Sequence, residues 1–528
     1  MNHSYLLHHL IEKTAESMPD AAALVHREEK TSYQELSKSI SMFANGIISC
    51  GVTRGDRVAV FLNKSKEFVV SVFGASKSGT VFVPVNPILK EKQVDHIIQD
   101  SDSTIVVISL QRLSLIKGSI ESWDKVKHIV VVGDCVNNEE LSKIDKRIIS
   151  WHAFLKPKAE FYPELCDSNV ASLFYTSGST GNPKGVILTQ QNMILGAKSV
   201  SSYIKNSSSD NILAILPLSF DAGFSQLTTG FYSGATVTLH DYFNASELIR
   251  VVESEMITGI TAVPPILIDV FSKENTEGLK GLRYIANTGG HLPRSSVLSI
   301  TEKCKDADLY LMYGLTEAFR STYLDPAEIH NRPDSIGKAI PNAEVTIVRE
   351  SGVECEPGEV GELVHRGPLV SKGYWKLPEE TNKRFRIVKG KTGAQSDEVV
   401  VFSGDLARKD EQGFIYFVGR KDQLIKTSGY RVSADEIEDV IYKSGLVLET
   451  AILGIKDERL GNKLICYAYV EDTADCNFSQ NLISFCRREL PHYMIPHELT
   501  NISHPLPKNG NGKVDRKALT EYYHTENS

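Results

Sequence analysis

The amino-acid sequence predicts an α/β protein with a large N-terminal domain of mostly parallel sheets, which includes a small β-rich subdomain, and a small mobile α+β C-terminal domain. Short apolar strands alternate with amphipathic helices through most of the chain, as they do in parallel sheets. Between about residues 330 and 420, glycine and proline become frequent and the strands shorten. Beyond residue 420 helix and strand patterns are mixed, which indicates a separate small domain.

Length and composition describe a multidomain globular protein. The chain has 528 residues, which is too many for a single hydrophobic core, and 41% of its residues are apolar. Its net charge of −8 argues against a nucleic-acid partner. The eight cysteines are scattered without a C-x-x-C pair, as in reduced cytoplasmic proteins. No signal peptide and no bilayer-spanning apolar run is evident, so we expect a cytoplasmic protein without a membrane partner.

Caps and hydrophobic periodicity predict the elements of the first part of the chain. Ser32 and Glu35 form a capping-box pattern that begins a helix ending near Ser49. Strands are expected at residues 57–62, 81–85, 104–109, 128–132 and 148–151, and a helix at residues 67–77. This alternation favours a parallel sheet covered by helices.

The stretch from Tyr175 to Gly185 has the composition of a polyphosphate-binding loop. It contains three glycines, four Ser and Thr hydroxyls and Lys184, which together offer backbone N–H groups, short donors and a positive charge to an anion. Apolar runs on both sides predict a loop between two strands, and Pro183 precedes the lysine, unlike in a Walker A loop. A hydroxyl-rich surface turn is the plainer alternative. The following helix is expected to begin with Thr189 as N-cap.

Later elements follow the same patterns. Buried strands are expected at residues 212–216, 236–239, 259–263, 284–287 and 308–312, and short strands of the β-rich subdomain at 344–349, 361–365 and 414–418. In the C-terminal domain we expect helices at residues 434–442 and 481–489 and strands at 450–455 and 464–470. No internal repeat is evident.

Three further segments combine polar side chains with loop or strand-end positions. Tyr313 to Glu317 follows a buried strand, where open α/β sheets place their ligands, and Glu317 could hold Mg²⁺ or serve as an ordinary cap. Ser403 to Leu406 is expected to be a turn whose Asp405 could accept hydrogen bonds from ribose hydroxyls. The loop at residues 507–516 brings a second lysine, Lys513, among glycine and asparagine.

Together these segments resemble the superfamily of acyl-adenylate-forming enzymes, which contains acyl-CoA synthetases, amino-acid adenylation domains and luciferases. The matching segments occur in family order: the loop at 175–185, YGLTE at 313–317, GELVHRG at 361–367, SGDLAR at 403–408, GRKDQLIKTSGYR at 419–431 and NGKVDR at 511–516. Six motifs in this order over most of the chain are specific to the superfamily.

The resemblance implies ATP and Mg²⁺ as cofactors and assigns residues to each part of the nucleotide. The phosphates would be bound by Thr176, Ser177, Gly178, Ser179, Thr180, Gly181 and Lys184, with Thr316 at the α-phosphate and Glu317 supporting Mg²⁺. Adenine would lie beside Gly289, Gly290, His291 and Tyr313, and the ribose on Asp405 with Arg420 as partner. Lys513 would bridge the substrate carboxylate and the α-phosphate, where a cation relieves the repulsion between two anions.

The resemblance also implies two domains and a hinge. Residues 1–421 would bind ATP and the acid, and residues 422–528 would carry the catalytic lysine and rotate about Asp422 after adenylation. Rotation would withdraw Lys513 and bring the face near Ser428 to a pantetheine tunnel, where a thiol attacks the acyl-adenylate.

The acid is expected to be a small amino or imino acid. Phe220 and Asp221 resemble the amino-acid branch, in which an aspartate pairs with the α-ammonium of the substrate. Further pocket positions, most of them small, are matched to Ala222, Ser225, Ala262, Ala286, Thr288, Met312 and Ser321. Of the family's stand-alone members, the chain looks most like proline–carrier-protein ligases of natural-product and nonribosomal peptide pathways. For Arg320, pairing with Asp221, pairing with Glu317 and pointing away are all open.

The thiol acceptor has two alternatives. A carrier protein acting in trans is favoured by the aspartate motif, whereas Leu315 and the TSGYRVS segment resemble acyl-CoA ligases for a short or modified acid, which use CoA. A non-catalytic nucleotide-binding member is the third reading, and the intact charged residues of the motifs argue against it.

Overall fold

The structure is a computed structural model that describes residues 5–116, 118–133, 144–158, 162–176, 183–388, 397–421, 425–427, 430–457, 459–470, 477–509 and 513–526. It confirms the predicted mixed α/β fold with a β-rich subdomain and a small C-terminal α+β part. The predicted phosphate-loop residues 177–181 and the predicted hinge Asp422 lie outside the described residues. The predicted division at residue 421 stays a prediction.

One sheet has seven strands and carries the predicted phosphate loop. In spatial order its strands are β7 (Ile148–Ser150), β6 (His128–Val132), β5 (Ser103–Ser109), β3 (Arg57–Phe61), β4 (Val81–Pro84), β8 (Val170–Thr176) and β9 (Lys184–Thr189). All neighbours are parallel except β8 and β9, which are antiparallel. The loop therefore joins two paired strands, as the sequence predicts.

The second sheet has nine strands and lies on the predicted acid and nucleotide side. In spatial order its strands are β16 (Lys338–Ala339), β15 (Thr322–Leu324), β14 (Asp308–Tyr313), β13 (Tyr284–Asn287), β12 (Gly259–Ala262), β10 (Asn211–Ala214), β11 (Thr236–Leu239), β1 (Ala22–His26) and β2 (Glu29–Ser32). The strands from β14 to β1 are parallel to their neighbours. Their carboxyl ends meet at one edge of the sheet.

The hairpin of β1 and β2 was not expected from the sequence. Its two turn residues, Arg27 and Glu28, both have positive φ angles, 51° and 71°. This is the type I′ geometry that suits a two-residue hairpin, which Asn-Gly usually provides. Because neither turn residue here is glycine or asparagine, the sequence gives no signal for it.

Helices cover both large sheets. They are α1 (His9–Ser17), α2 (Tyr33–Ser49), α3 (Lys66–Lys77), α4 (Glu91–Asp100), α5 (Leu110–Leu113), α6 (Trp151–Phe154), α7 (Gln190–Ile204), α8 (Asp221–Ser233), α9 (Ala245–Ser254), α10 (Pro264–Ser272), α11 (Arg294–Lys303) and α12 (Pro378–Arg384). Among the described residues, no helix combines the length and the apolar character that crossing a bilayer requires.

The largest hydrophobic cluster joins the two sheets through α2, α3, α7 and α8. At its centre Phe224 of α8 stacks on Phe82 of β4, with ring centroids 5.1 Å apart, and meets Phe174 of β8 edge-on at 5.6 Å. Helix α8 of the second sheet is thus fixed against strands of the first. A separate cluster packs α9, α10 and α11 on the opposite face of the second sheet.

The β-rich subdomain is an antiparallel sheet. Its strands are β17 (Glu344–Val348), β18 (Val360–Arg366), β20 (Glu398–Lys409) and β19 (Phe385–Val388) in that order, with β21 (Ile415–Arg420) also paired with β20. The predicted turn at Ser403 to Leu406 is wrong, because these residues lie within β20. Gly404 adopts a φ of 73° there, so the left-handed glycine bends the strand without ending it.

The C-terminal part contains a two-stranded and a three-stranded sheet with helices. Its elements are β22 (Ile425–Thr427), β23 (Tyr430–Val432), α13 (Ala434–Lys443), β24 (Glu449–Asp457), β25 (Gly461–Tyr469), α14 (Phe478–Glu489), β26 (Glu498–Ile502) and α15 (Arg516–Glu526). Strand β25 lies between β24, which is antiparallel to it, and β26, which is parallel. The predicted helices and strands of this part are present, with ends that differ by a few residues.

Candidate active site

The candidate site lies at the carboxyl edge of the nine-stranded sheet. Asp221 begins α8, which follows β10, and Tyr313 ends β14. Gly289 and Gly290 follow β13, where Asn287 donates a hydrogen bond from Nδ2 to the Gly290 carbonyl at 3.0 Å. Ligands of open α/β sheets bind at this edge, because connections leave it in opposite directions and open a crevice.

On the predicted ribose side, Asp405 is a buried carboxylate with two protein partners. Tyr313 donates its hydroxyl proton to Asp405 Oδ2 at 2.5 Å, and Arg420 Nε lies 3.4 Å from Oδ1. Asp405 and Arg420 are paired opposite each other on β20 and β21. Burial raises the pKa of Asp405, while Arg420 and the Tyr313 hydroxyl act in the opposite direction. Oδ1 has no hydrogen-bond partner among the described residues, so it can accept one from a ligand hydroxyl.

On the predicted phosphate side, Lys184 stands directly across from Thr176 at the mouth of the β8–β9 hairpin. Its ammonium lies 2.8 Å from Glu380 of α12 and 5.8 Å from the centre of the Tyr374 ring. Hydrogen bonds from Lys184 and then Lys383 lower the pKa of Glu380 to about 2. The lysine is therefore held in place by a carboxylate that a bound polyphosphate would replace.

Glu317 belongs to the same group of side chains. Tyr374 donates its hydroxyl proton to Glu317 Oε1 at 2.5 Å, which links this carboxylate to the neighbourhood of Lys184. Tyr374 is buried, whereas Glu317 is partly exposed. A single oriented carboxylate fits Mg²⁺, which keeps several waters and takes phosphate oxygens as further ligands.

Lys513 reaches the site from the C-terminal part. Its N–H donates to Asn509 Oδ1 at 3.2 Å, and its carbonyl accepts from the Asn509 N–H at 2.7 Å. Partial removal from water and then the charge of Arg420 lower the pKa of Lys513, while Asp405 and Asp221 oppose this effect. The side chain is exposed to the open cleft, so it keeps part of its hydration. The charges of the predicted ribose and acid sites thus both act on this lysine.

The predicted acid pocket is formed by α8 and one face of the sheet. Ala286 and Met312 lie on this face, where Tyr203 donates a hydrogen bond to Met312 Sδ at 3.0 Å. Ser225 is buried on α8, and Thr288 is buried just after β13. Ala222 and Phe220 are partly buried at the start of α8.

Ala262 lies on the other face of the sheet. It is paired with Asn287 and packs with Leu267 and Leu311 in the outer cluster, whereas Thr261 is paired with Ala286. The structure thus does not bring Ala262 onto the wall with Ala286. Thr261 takes that place, and the alternation of side chains along a strand explains the shift of one residue.

Asp221 is the first residue of α8, where the helix N-terminus favours a negative charge. Burial raises the pKa of Asp221, while the charge of Arg320 and the N–H of Ala222 act against this. Arg320 itself is 3% exposed. Among the described residues, Arg320 has no carboxylate within 4.0 Å, so the structure excludes a direct ion pair with Asp221 or Glu317. The charge of Arg320 nevertheless acts on Asp221 through space.

Ser321 and His291 make contacts that the sequence did not indicate. The Ser321 hydroxyl lies 2.9 Å from Nδ1 of the buried His365. His291 Nε2 lies 3.2 Å from Asp439 Oδ1 on α13, so the expected adenine neighbour also contacts the C-terminal part. Burial raises the pKa of Asp439 to about 8.

Sequence reasoning missed Glu380, Tyr374, Thr261 and Asp439. Glu380 and Tyr374 meet Lys184 and Glu317 only after the chain folds, and no local motif marks them. Thr261 could have been found from the alternation of side chains. Tyr284 and Ala286 face one side of β13, and Thr261 of β12 is paired with Ala286, so its side chain faces the same side.

Two family models match the chain. The AMP-binding enzyme model covers residues 11–375, and the model of the AMP-binding enzyme C-terminal domain covers residues 436–513. Surfactin synthase subunit 1 of Bacillus subtilis (strain 168) is 31% identical over 519 residues, which are 97% of this chain and 14% of that protein. The long-chain-fatty-acid–CoA ligase of Escherichia coli O157:H7 is 27% identical, over 97% of this chain and 93% of the ligase.

Solved structures share the fold over nearly the whole chain. The anthranilate CoA ligase AuaEII in complex with anthranoyl-AMP has a TM-score of 0.87 at 23% identity, covering 98% of this chain and 97% of its own. The o-succinylbenzoate CoA synthetase MenE of Bacillus subtilis in complex with the acyl-adenylate OSB-AMP has a TM-score of 0.79 at 25% identity, with 97% of both chains covered. The chain spans a small part of the synthase subunit and nearly all of the CoA ligases.

Proposed function

Because the chain belongs to the family of AMP-binding enzymes, which use ATP to form adenylates of acids, we propose that it adenylates a small amino or imino acid. In a second half-reaction it transfers the acyl group to the phosphopantetheine thiol of a carrier protein. L-Proline is the substrate that the sequence resemblance favours. Pyrophosphate leaves in the first half-reaction and AMP in the second.

The observation that supports this proposal is the loop of Lys513, in which Asn509 lines one cavity with Ser219 and Phe220, while the charges of Asp405 and Asp221 act on the lysine. A carboxylate that attacks an anionic phosphorus is repelled by it, and negative charge builds up on the oxygens in the transition state. A lysine between the ribose carboxylate and the acid pocket would neutralise both anions. No general base is required, since the attacking carboxylate is already ionised.

The other residues of the chain bind and orient the nucleotide. Lys184 would move from Glu380 to the β- and γ-phosphates, and Thr316 would donate a hydrogen bond to the α-phosphate. Asp405 would accept hydrogen bonds from the ribose hydroxyls through Oδ1. Mg²⁺, held by Glu317 and phosphate oxygens, would supply charge neutralisation to the leaving pyrophosphate.

Asp221 supports an amino acid as the substrate. Asp221 is a partly buried carboxylate whose ionised form is disfavoured by burial, and an α-ammonium would compensate its charge. The helix N-terminus also favours the ionised form and so acts in the same direction as that ammonium.

Thiol transfer requires a second arrangement of the same molecule. As the sequence resemblance implies, Lys513 would have to leave the adenylate before a pantetheine thiol attacks it, so the C-terminal part would move before transfer. Rotation about Asp422, as the sequence resemblance implies, would remove the lysine and present another face of that part.

The test is pyrophosphate exchange with a panel of amino acids that includes L-proline, alongside fatty and aromatic acids. Exchange that depends on one small amino or imino acid supports the proposal, and exchange with fatty acids alone contradicts it. Transfer is measured by mass spectrometry of a holo carrier protein. An absence of exchange with every acid would favour a non-catalytic nucleotide-binding protein.

An AMP-forming acyl-CoA synthetase for a short or modified acid is the second candidate. The chain covers 93% of the length of the Escherichia coli ligase, and Leu315 in the YGLTE motif resembles that branch. Acyl-CoA formation with free CoA at rates above those with any carrier protein would select this candidate.

A further inference from the structure

Arg320 is a buried residue whose Nε has no hydrogen-bond partner in the part of the chain that the structure describes. The residue is 3% exposed. Among the described residues, no carboxylate oxygen lies within 4.0 Å of the guanidinium nitrogens of Arg320, so no direct ion pair compensates the charge. A buried charge without partners is strongly unfavourable, and arginine brings five N–H donors in a fixed planar arrangement. A ligand with a negatively charged hydrogen-bond acceptor would compensate this guanidinium.

Packing in the preceding turn fixes where this side chain goes. Phe319 adopts a φ of 59°, which is uncommon for a residue with a large side chain. Its ring is fully buried against α7, where a Cβ at Gly196 would approach it to 2.2 Å. On the other side Arg320 lies against Gly314, whose missing side chain leaves room for its stem. The backbone is thus held in a rare conformation that buries Arg320.

Arg320 lies at the edge of the predicted acid pocket. The next residue, Ser321, donates its N–H to the carbonyl of Tyr313 at the end of β14 at 3.1 Å, and the Arg320 stem packs beside Gly314, which follows Tyr313. Its charge also acts on Asp221 at the start of α8 and on Tyr203, whose hydroxyl donates to Met312 on the pocket wall. Asp221 compensates the positive charge of Arg320 only through space, since the two side chains are too far apart for a direct ion pair.

We propose that Arg320 is a specificity residue that binds a second carboxylate of the acid substrate. This inference rests on the proposed adenylation. The activated carboxylate would meet Lys513, and the second would take the N–H donors of Arg320 as a planar, charge-assisted pair. An acidic amino acid satisfies the pocket most fully, because its ammonium pairs with Asp221. L-Proline, which the sequence resemblance favours, has no acceptor besides the carboxylate that is activated and would leave these donors unpaired, so exchange with L-proline and with dicarboxylic acids distinguishes the two substrates.

The first experiment compares acids that differ only in the second carboxylate. Pyrophosphate exchange is measured with L-aspartate against L-2-aminobutyrate, L-glutamate against L-norvaline, and succinate against butyrate, with L-proline alongside. For the best pair, we expect kcat/KM to be at least about a hundredfold higher for the acid with two carboxylates, because a buried donor set rejects a ligand that leaves it unpaired. Equal values, or a preference for the monocarboxylic acid or proline, would overturn the inference and leave the adenylation intact.

The second experiment changes the arginine. In Arg320→Met the preference for the second carboxylate should disappear, and Arg320→Lys should keep part of it because it retains the charge. The melting temperature of Arg320→Met should not fall, since the substitution removes a buried charge without partners. A lower melting temperature with an unchanged preference would assign Arg320 a structural role and overturn the proposal.

Arg147→Met is the matched control. Arg147 is far from the site and makes hydrogen bonds to Asp145 and to three backbone carbonyls, so its loss should lower the melting temperature and leave the substrate preference as it was. Exchange with no acid at all would refute the adenylation and this inference together. A thermal shift caused by the dicarboxylic acid with a non-hydrolysable ATP analogue reports binding without turnover, and its absence would also count against the proposal.

Discussion

At the scale of single residues, the site combines buried charges with incomplete compensation. Asp405 keeps one carboxylate oxygen without a hydrogen bond, Asp221 lies at a helix N-terminus, and Arg320 has no direct partner among the described residues. The unpaired oxygen of Asp405 and the unpaired Nε of Arg320 are unfavourable without a ligand, and a complementary group would stabilise them. The pocket is therefore defined by the polar groups that the protein leaves unpaired.

Asp221 is predicted to select for an ammonium group. Asp221→Ala should raise the KM for an amino-acid substrate about thirtyfold or more, because the ammonium loses a charge-assisted partner. The KM for the same acid without its amino group should change little. Exchange kinetics with the two acids measure this difference, and an unchanged KM for the amino acid would remove Asp221 from the ammonium role.

His365 is predicted to make stability depend on pH. Burial lowers its pKa from 6.5 to about 4, so the unfolded chain binds more protons than the folded one between these values. Stability is thus complete above pH 6.5 and is lost as the pH falls toward 4. At pH 5 the loss amounts to about 2 kcal/mol.

The measurement is urea-induced unfolding at pH 7.5 and pH 5 for the wild type and for His365→Gln. The variant should lose about 2 kcal/mol less on acidification than the wild type. His504→Gln is the control, because His504 is exposed and stays hydrated on folding. Equal losses in the wild type and His365→Gln would contradict the prediction.

At the scale of elements, strand pairing and helix caps put the functional side chains in place. The β8–β9 hairpin holds Lys184 opposite Thr176, so the lysine is fixed by the register of a sheet. Helix α7 begins at the end of the same hairpin, where Thr189 accepts from the Asn192 N–H at 3.1 Å and donates to Asn192 Oδ1 at 2.9 Å. The cap thereby sets the path of the chain that leaves the phosphate side.

Thr189→Ala should weaken this cap. Loss of the hydroxyl leaves a buried helix N–H without its partner, which costs about 1 kcal/mol and lowers the melting temperature by about 2 °C. Thr189→Ser keeps the hydroxyl and serves as the control. Calorimetry that finds the same melting temperature for the alanine and serine variants would refute the role of the cap.

At the scale of the whole molecule, the site is assembled from both sheets, the β-rich subdomain and the C-terminal part. Lys513 belongs to the C-terminal part, and the charges of Asp405 and Asp221 in the preceding part of the chain act on it. The contact between His291 and Asp439 belongs to this arrangement. The arrangement suits the proposed adenylation, and the proposed thiol transfer would require another.

Lys513→Ala should separate the two half-reactions. Exchange should fall by about a thousandfold or more, because the cation between the two anions is lost, while thiol transfer from a preformed acyl-adenylate should stay within about twofold. Single-turnover assays with the isolated adenylate measure the second step. Equal loss in both steps would mean that one arrangement performs both.

Asp439→Ala should shift the balance between the two arrangements. The substitution removes the contact with His291, so adenylation should fall several-fold while transfer from preformed adenylate stays the same or rises. Glu489→Ala removes a carboxylate from an exposed position of the same part and is the control. A parallel fall in both half-reactions of Asp439→Ala would contradict a role of this contact in the orientation of the C-terminal part.

The sequence by itself determined the fold class, most of the strands and helices, and the residue types of an adenylate-forming site, because periodicity, caps and ordered motifs are local properties. It placed Thr189 at its cap and the phosphate loop between paired strands. It misjudged Ser403 to Leu406, because a glycine with positive φ can bend a strand as well as end one.

Only the tertiary structure decided which distant groups meet and which stay unpaired. Glu380 reaches Lys184, Asp439 reaches His291, and Thr261 replaces Ala262 on the wall with Ala286. Within the described residues it also excluded a direct ion pair for Arg320, although the charge of this arginine acts on Asp221. Burial and compensation of charge depend on packing between elements far apart in the chain, and no local pattern records them.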